Sequence, residues 1–279
     1  MDCVVQYMGG KSYIADWIIS IFPKHTCYVE VFGGAGTVLL NKQPSKVEVY
    51  NDIWNDIVMF FQVLKNNPKE LQQWLKATPL SRVLYNSFLE KYKSRSFEND
   101  VEQASIVFYL LMSSRNAILG SRFSISKVRN HAQNYKNKVD DLLKFAERLR
   151  GTTIENLDFR EVIKKYDSED TLFYCDPPYV LEKENIYYEP KFVYRDFFEL
   201  AKILDSIEGK AILSCYPYAN LKELYPENKW HAAEKSVTKH STHSLADEGI
   251  RGTELLIFNY DLEKSAVQNQ KLRLVDIYQ

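Results

Sequence analysis

Thr171-Leu172-Phe173-Tyr174-Cys175-Asp176-Pro177-Pro178-Tyr179 begins as a buried strand and ends as something no strand can continue. Residues 172–175 form a short apolar and aromatic run behind the polar turn Asp167-Ser168-Glu169-Asp170, a pattern that predicts a central strand of an α/β sheet. Two successive prolines then remove two backbone donors and fix φ, so the chain leaves the sheet at Asp176 in one rigid conformation. A carboxylate, backbone carbonyls and the Tyr179 ring are thereby expected at the carboxyl end of a strand, where open α/β sheets bind their ligands.

Such a corner suits a planar ring that carries an exocyclic amino group. Asp176 accepts one hydrogen bond, the rigid carbonyl beside it accepts a second, and Tyr179 offers a flat face for stacking. Two acceptors on an amino group keep electron density on nitrogen and make it a better nucleophile toward an electrophilic methyl. The alternative reading is a plain strand-ending turn, since Asp and Pro are common in turns.

Upstream, Cys27-Tyr28-Val29-Glu30-Val31-Phe32 reads as a strand, followed by Gly33-Gly34-Ala35-Gly36 and a helix over 37–42. A second strand, Val47-Glu48-Val49-Tyr50, runs into Asn51-Asp52-Ile53-Trp54-Asn55-Asp56. Strand, glycine loop, helix, strand and acidic end make one nucleotide-binding half of a doubly wound sheet. The loop lets a ligand approach the backbone, the helix start offers amides to an anion, and Asp52 is expected to accept from ribose hydroxyls. The pattern is not Gly-x-Gly-x-x-Gly, which disfavours a dinucleotide and fits S-adenosyl-L-methionine, whose own carboxylate would be the anion. Ahead of this unit lie Tyr7-Met8-Gly9-Gly10-Lys11 and an amphipathic run over 13–22, with Ser12 as its expected cap and Pro23 as its end.

The 279 residues suffice for one large α/β domain carrying an insertion. A hydrophobic fraction of 45% and a charged fraction of 26% are those of an ordinary globular chain, and no apolar run reaches the length of a membrane span. With no signal-peptide pattern either, a cytoplasmic protein without membrane attachment is expected. Cys3, Cys27, Cys175 and Cys215 lack paired spacing, so reduced cysteines are expected and no metal site, His240 and His243 included. A net charge of −1 hides an uneven distribution. Residues 103–139 contain no acid but hold Arg115, Arg122, Lys127, Arg129, Lys136 and Lys138. Together with Asn116 and Phe123 these read either as a solvated face or as a surface for phosphates and bases.

Helices are predicted over 57–75, 81–92, 101–112 and 139–149, with no intervening strand. The strand pattern resumes at 153–157 and reaches Asp158-Phe159, where the acid either accepts from an adenine amine or caps the helix expected over 159–166. A mobile loop is expected over 180–191, then a helix over 194–207, a strand over 211–215, a short helix over 219–225 and a last strand over 253–260. The polar stretch 239–252 reads as a connection or a DNA-facing loop. This divides the chain into a catalytic domain, 1–56 with 151–279, and a helical insertion, 57–150.

Taken together, Tyr7-x-Gly9-Gly10-Lys11, Glu30-x-Phe32-x-Gly34-x-Gly36, Asn51-Asp52-x-x-Asn55, Asp176-Pro177-Pro178-Tyr179 and Glu254-Leu255-Leu256-Ile257-x-Asn259-Tyr260 resemble the DNA adenine-N6 methyltransferases of the Dam type. The resemblance implies a Rossmann-like methyltransferase sheet, mostly parallel with its last strand reversed, and a helical target-recognition insertion. It implies contacts to S-adenosyl-L-methionine from Tyr7, Lys11, Phe32, Gly34, Gly36, Asp52, Asp158, Phe159 and Asp176. It implies a grip on a flipped target adenine by Asp176, Pro177 and Tyr179, with direct in-line transfer and no covalent enzyme intermediate. Double-stranded DNA would be held by Arg115, Asn116, Arg122, Lys127 and Arg129, and a monomer of bacterial, plasmid or phage origin, with or without a restriction partner, is expected. The family's Asn-Gly-x-x-Arg reading loop departs here to Asn116-Ala117-Ile118-Leu119-Gly120, which puts a GATC site in doubt. Two other classes compete: amino methylation of another planar substrate such as cytosine or RNA adenine, and a silent DNA-binding module. The intact corner counts against both.

Overall fold

The computed structural model describes residues 3–178, 192–217, 220–238, 251–262 and 273–274. Tyr179, the expected loop 180–191, and His240 and His243 therefore lie outside the described residues.

Among the described residues, eight strands form one sheet: β1 (Cys27–Glu30), β2 (Val47–Asn51), β3 (Thr152–Glu155), β4 (Thr171–Cys175), β5 (Lys210–Cys215), β6 (His231–Thr238), β7 (Arg251–Phe258) and the two-residue β8 (Arg273–Leu274). Their order is β3-β2-β1-β4-β5-β7-β6-β8. The first five are parallel, and β7 inserts antiparallel between β5 and β6. The strand order reverses between β1 and β4, so the carboxyl ends of these two strands flank the crevice in which open sheets bind ligands. The glycine-rich loop Gly33-Gly34-Ala35-Gly36 follows one strand and Asp176 follows the other.

β4 is buried at every position, as its uninterrupted apolar sequence predicts for a strand covered on both faces. Side chains alternate between faces. Leu172 and Tyr174 join a core with Tyr28, Tyr50 and the helices α1 (Ala15–Ser20), α2 (Thr37–Asn41), α3 (Asn55–Asn66), α6 (Asp100–Ser113) and α7 (His131–Leu149). Phe173 and Cys175 join the opposite core with α8 (Phe159–Tyr166), α9 (Tyr194–Ser206) and α10 (Leu221–Leu224). Each fully buried large apolar side chain contributes roughly 1.5–3 kcal/mol, so β4 alone ties both layers to the sheet.

Between β2 and β3 the chain is helical: α3, α4 (Pro68–Lys76), α5 (Arg82–Lys93), α6 and α7. Pro68 stands at the first turn of α4, where its missing donor costs nothing, and so divides the apolar stretch 57–75 into two helices. Helix α7 starts at His131 and not at 139, because Asn130 accepts the Gln133 amide and caps a polar first turn. Lys136 and Lys138 are therefore helical; the first pairs with Asp140 at 2.7 Å and the second donates to the Cys3 carbonyl. Ser12 does not cap α1, which begins after Ile14. All four cysteines are free thiols.

Candidate active site

The corner is built by a salt bridge across 165 residues of sequence. Tyr7 accepts the Gly10 amide at 3.2 Å, and the tight turn this closes delivers Lys11, 3% exposed, into the sheet end. Its Nζ lies 2.7 Å from Asp176 Oδ1, 3.2 Å from the Gly9 carbonyl and 3.6 Å from Glu254 Oε1. Burial pushes the ammonium's pKa down, and the two carboxylates more than offset this, so the group is held above its ordinary value and stays charged. Asp176 keeps 18% of its side chain exposed, Pro177 is buried and Pro178 half-buried.

The glycine loop is locked to the end of β2. Gly34 donates its amide to Asp52 Oδ2 at 2.7 Å, and Trp54 donates to Oδ1 at 2.8 Å. Burial raises the Asp52 pKa against these amides. Gly34 sits at φ +48°, and a Cβ there would come 2.9 Å from the Tyr7 ring, so only glycine lets that ring close over the loop. Gly36 is the N-cap of α2 and has no side chain to accept the first-turn amides. Glu30 does so from β1: its Oε2 accepts the Leu39 amide at 2.6 Å and the Tyr28 hydroxyl at 2.8 Å. Burial pushes this carboxyl up to about 8. The start of this five-residue helix is thus answered at Leu39 by the protein's own carboxyl, which differs from an open row of amides for a ligand anion.

Beside the loop, Phe32 packs on Phe159 at 5.8 Å and on Phe192 at 5.6 Å between ring centroids. Asp158 accepts the Arg160 amide at 2.8 Å, so its capping of α8 is realised, and it pairs with the Arg160 guanidinium at 3.0 Å. Asn51 fastens three strand ends: it donates to Val31 at 2.9 Å and Leu157 at 3.0 Å, and accepts from Leu157 at 2.9 Å.

The basic loop folds back on itself after α6. Arg115 donates its amide to the Arg122 carbonyl at 2.8 Å, Ser124 donates to Ser113 at 2.7 Å, and Ser114 bridges Phe123. Tyr85 anchors the loop through Ser114, at 3.1 Å, and the Ser121 carbonyl. Arg115, Asn116, Arg122, Lys127 and Arg129 are all exposed, as are Ile125 at 73% and Val128 at 92%. Arg82 joins them, stacked 5.0 Å over the Phe123 ring. Gly120 has φ +82°, a left-handed position, so the departure from an arginine here extends to the backbone.

Glu254, Phe192, Asn51 and Arg82 were not legible as site residues. Each belongs through a tertiary partner rather than a local pattern, although Glu254 and Asn51 stand within quoted motifs. Among the described residues no group of three or more His, Cys, Asp or Glu could hold a metal ion, and no helix is long and apolar enough to cross a membrane.

A mostly parallel sheet with a reversed strand, a glycine loop after β1 and an Asp-Pro-Pro corner after β4 define a Rossmann-like methyltransferase. The chain belongs to the D12 class N6 adenine-specific DNA methyltransferases, whose family model matches residues 7–239. It is 24% identical over 263 residues to a protein of Escherichia coli K12 named DNA adenine methylase, covering 88% of this chain and 92% of that protein. A protein of the same name from Haemophilus influenzae is 27% identical over 190 residues, covering 63% of each chain. Modification methylase LlaI of Lactococcus lactis is 27% identical over 194 residues, covering 63% of this chain and 29% of its own length.

Proposed function

We propose that this chain methylates adenine N6 at a defined site in double-stranded DNA, taking the methyl from S-adenosyl-L-methionine. The carrying observation is the 2.7 Å pair between buried Lys11 and partly exposed Asp176 at the strand-order reversal, beside the glycine loop. Lys11 holds the Asp176 side chain at the strand end, where 18% of it stays exposed, and the prolines after it hold the Pro177 carbonyl rigid as a second acceptor.

The donor supplies an electrophilic methyl on a positively charged sulfur. Features of the crevice fit it. The Tyr7 ring closes on Gly34 and Gly36 opens the loop; Phe32 and Phe159 offer an aromatic wall; Asp52 and Asp158 offer carboxylates; and the buried Thr37 hydroxyl has no partner among the described residues. Asp176 and the Pro177 carbonyl then accept from the adenine amino group and orient its lone pair. Such positioning supplies roughly 7–11 kcal/mol in favourable cases. A base inside the duplex cannot reach this corner, so the reading includes base flipping, which costs a few kcal/mol. Tyr179 would stack on the flipped base and return roughly 1–3 kcal/mol.

Residues 57–150 would serve as the recognition insertion. The surface residues Arg115, Asn116, Arg122, Lys127 and Arg129 lie on one acid-free stretch suited to phosphates and base edges. Incubation with methyl-labelled donor and duplex DNA, single-stranded DNA or RNA, followed by nucleoside analysis, tests the proposal. Label in N6-methyladenosine from RNA, or in methylcytosine, would overturn it.

A further inference from the structure

Glu254 is fully buried on β7 and takes no part in the proposed adenine grip. Burying a carboxylate costs several kcal/mol unless it is well held, and a neutral Lys11–Asp176 pair would not need a second one. Yet Lys11 Nζ lies 2.7 Å from Asp176 and 3.6 Å from Glu254. Both Glu254 oxygens are engaged: Ser214 donates to Oε1 at 2.8 Å and Tyr13 to Oε2 at 3.4 Å. Tyr13 and Tyr216 face the same cluster, and burial followed by the Glu254 charge pushes both phenols up, so they remain protonated. The cluster thus sets two carboxylates against one ammonium, with the neutral hydroxyls of Ser214, Tyr13 and Tyr216 beside them.

We propose that Glu254 is a positioning residue for Asp176, acting through Lys11: by sharing the ammonium it keeps Asp176 oriented without neutralising it. This rests on the reading of Asp176 as the acceptor for the adenine amino group. With Lys11 paired to Asp176 alone, the carboxylate would be at its weakest as an acceptor. As the N6 lone pair forms the new N–C bond, the C–S bond breaks with its electrons going to sulfur. N6 then carries the positive charge until one of its protons passes to water. A net negative corner favours that charge.

The test uses the full chain with Glu254→Gln, which keeps an acceptor for Ser214 and removes the charge. Single-turnover methylation of unmethylated genomic DNA is expected to slow roughly ten- to a hundredfold, with KM for donor and DNA within about twofold. In a Lys11→Met background the same change is expected to cost no more than about twofold, because the effect runs through Lys11. Equal losses in both backgrounds, or wild-type turnover by Glu254→Gln, would overturn the proposal. A second readout needs no methylation: urea unfolding of Asp176→Asn, Glu254→Gln and the double variant. Each single variant leaves the ammonium one carboxylate and the double leaves it neither, so the midpoint of the double is expected to fall by more than the two single shifts together. Additive shifts would overturn the shared ammonium. Coupled shifts in a protein that methylates no DNA would overturn the catalytic role and the proposed function while leaving the cluster itself standing.

Discussion

Replacing Glu30 by glutamine isolates one buried carboxyl that supports the glycine loop. Burial holds this group's proton up to about 8, against an ordinary value of 4.5. A carboxyl whose pKa is raised in the folded state stabilises it fully below the unfolded value and loses that stabilisation as pH rises through the folded value. Each pH unit of that interval is worth about 1.4 kcal/mol, so the cost of ionising Glu30 accumulates from about pH 4.5 and reaches about 5 kcal/mol above pH 8, as an upper bound. The glutamine side chain would keep an oxygen for the Leu39 amide and the Tyr28 hydroxyl, as the protonated acid does, and would not ionise. The assay is urea unfolding of both proteins at intervals from pH 5 to pH 9. The two are expected to be of similar stability at pH 5, with the glutamine variant the more stable by several kcal/mol at pH 9. Parallel curves would mean that Glu30 binds its proton equally in both states and would rule out this linkage.

Asn51→Ala removes three hydrogen bonds that join the ends of β1, β2 and β3, and is expected to cost about 2–4 kcal/mol in urea unfolding; a loss under about 1 kcal/mol would count against that bracing. Ala117 holds φ +55°, a left-handed conformation that costs a non-glycine residue roughly 1–2 kcal/mol, so Ala117→Gly is expected to raise the thermal midpoint. Arg122→Ala is expected to make the log–log salt dependence of DNA binding shallower by about 0.9 if the side chain meets a phosphate. If it instead reads a base edge, the variant loses discrimination between sequences and leaves that slope nearly unchanged.

The parallel half of the sheet was readable because β1, β2, β4 and β5 are short runs of β-branched, aromatic and apolar residues bounded by turn formers. β6 was not. Its sequence, His231-Ala232-Ala233-Glu234-Lys235-Ser236-Val237-Thr238, is rich in residues depleted from strands, and it is a strand because all eight pair with β7. Helix α7 starts earlier than its apolar spacing predicts for a related reason: its first two turns carry little apolar signal, and a single asparagine cap starts them. At the site, Asp176 and the glycine loop announce themselves by proline and glycine, which restrict or free the backbone wherever they stand. Lys11, Asp176 and Glu254 come from three distant parts of the chain, and no local periodicity could reveal that they share one buried charge cluster. Asp158 offered two readings, of which the cap is realised.

The proposed reaction is tested by incubating the purified protein with unmethylated genomic DNA and S-adenosyl-L-methionine and mapping modified bases by single-molecule sequencing, with Asp176→Asn in parallel. This reaction would leave N6-methyladenine confined to one motif, or to a small set of related motifs, and none with the variant. Unmodified DNA from a protein that binds the donor, or full modification by Asp176→Asn, would contradict it.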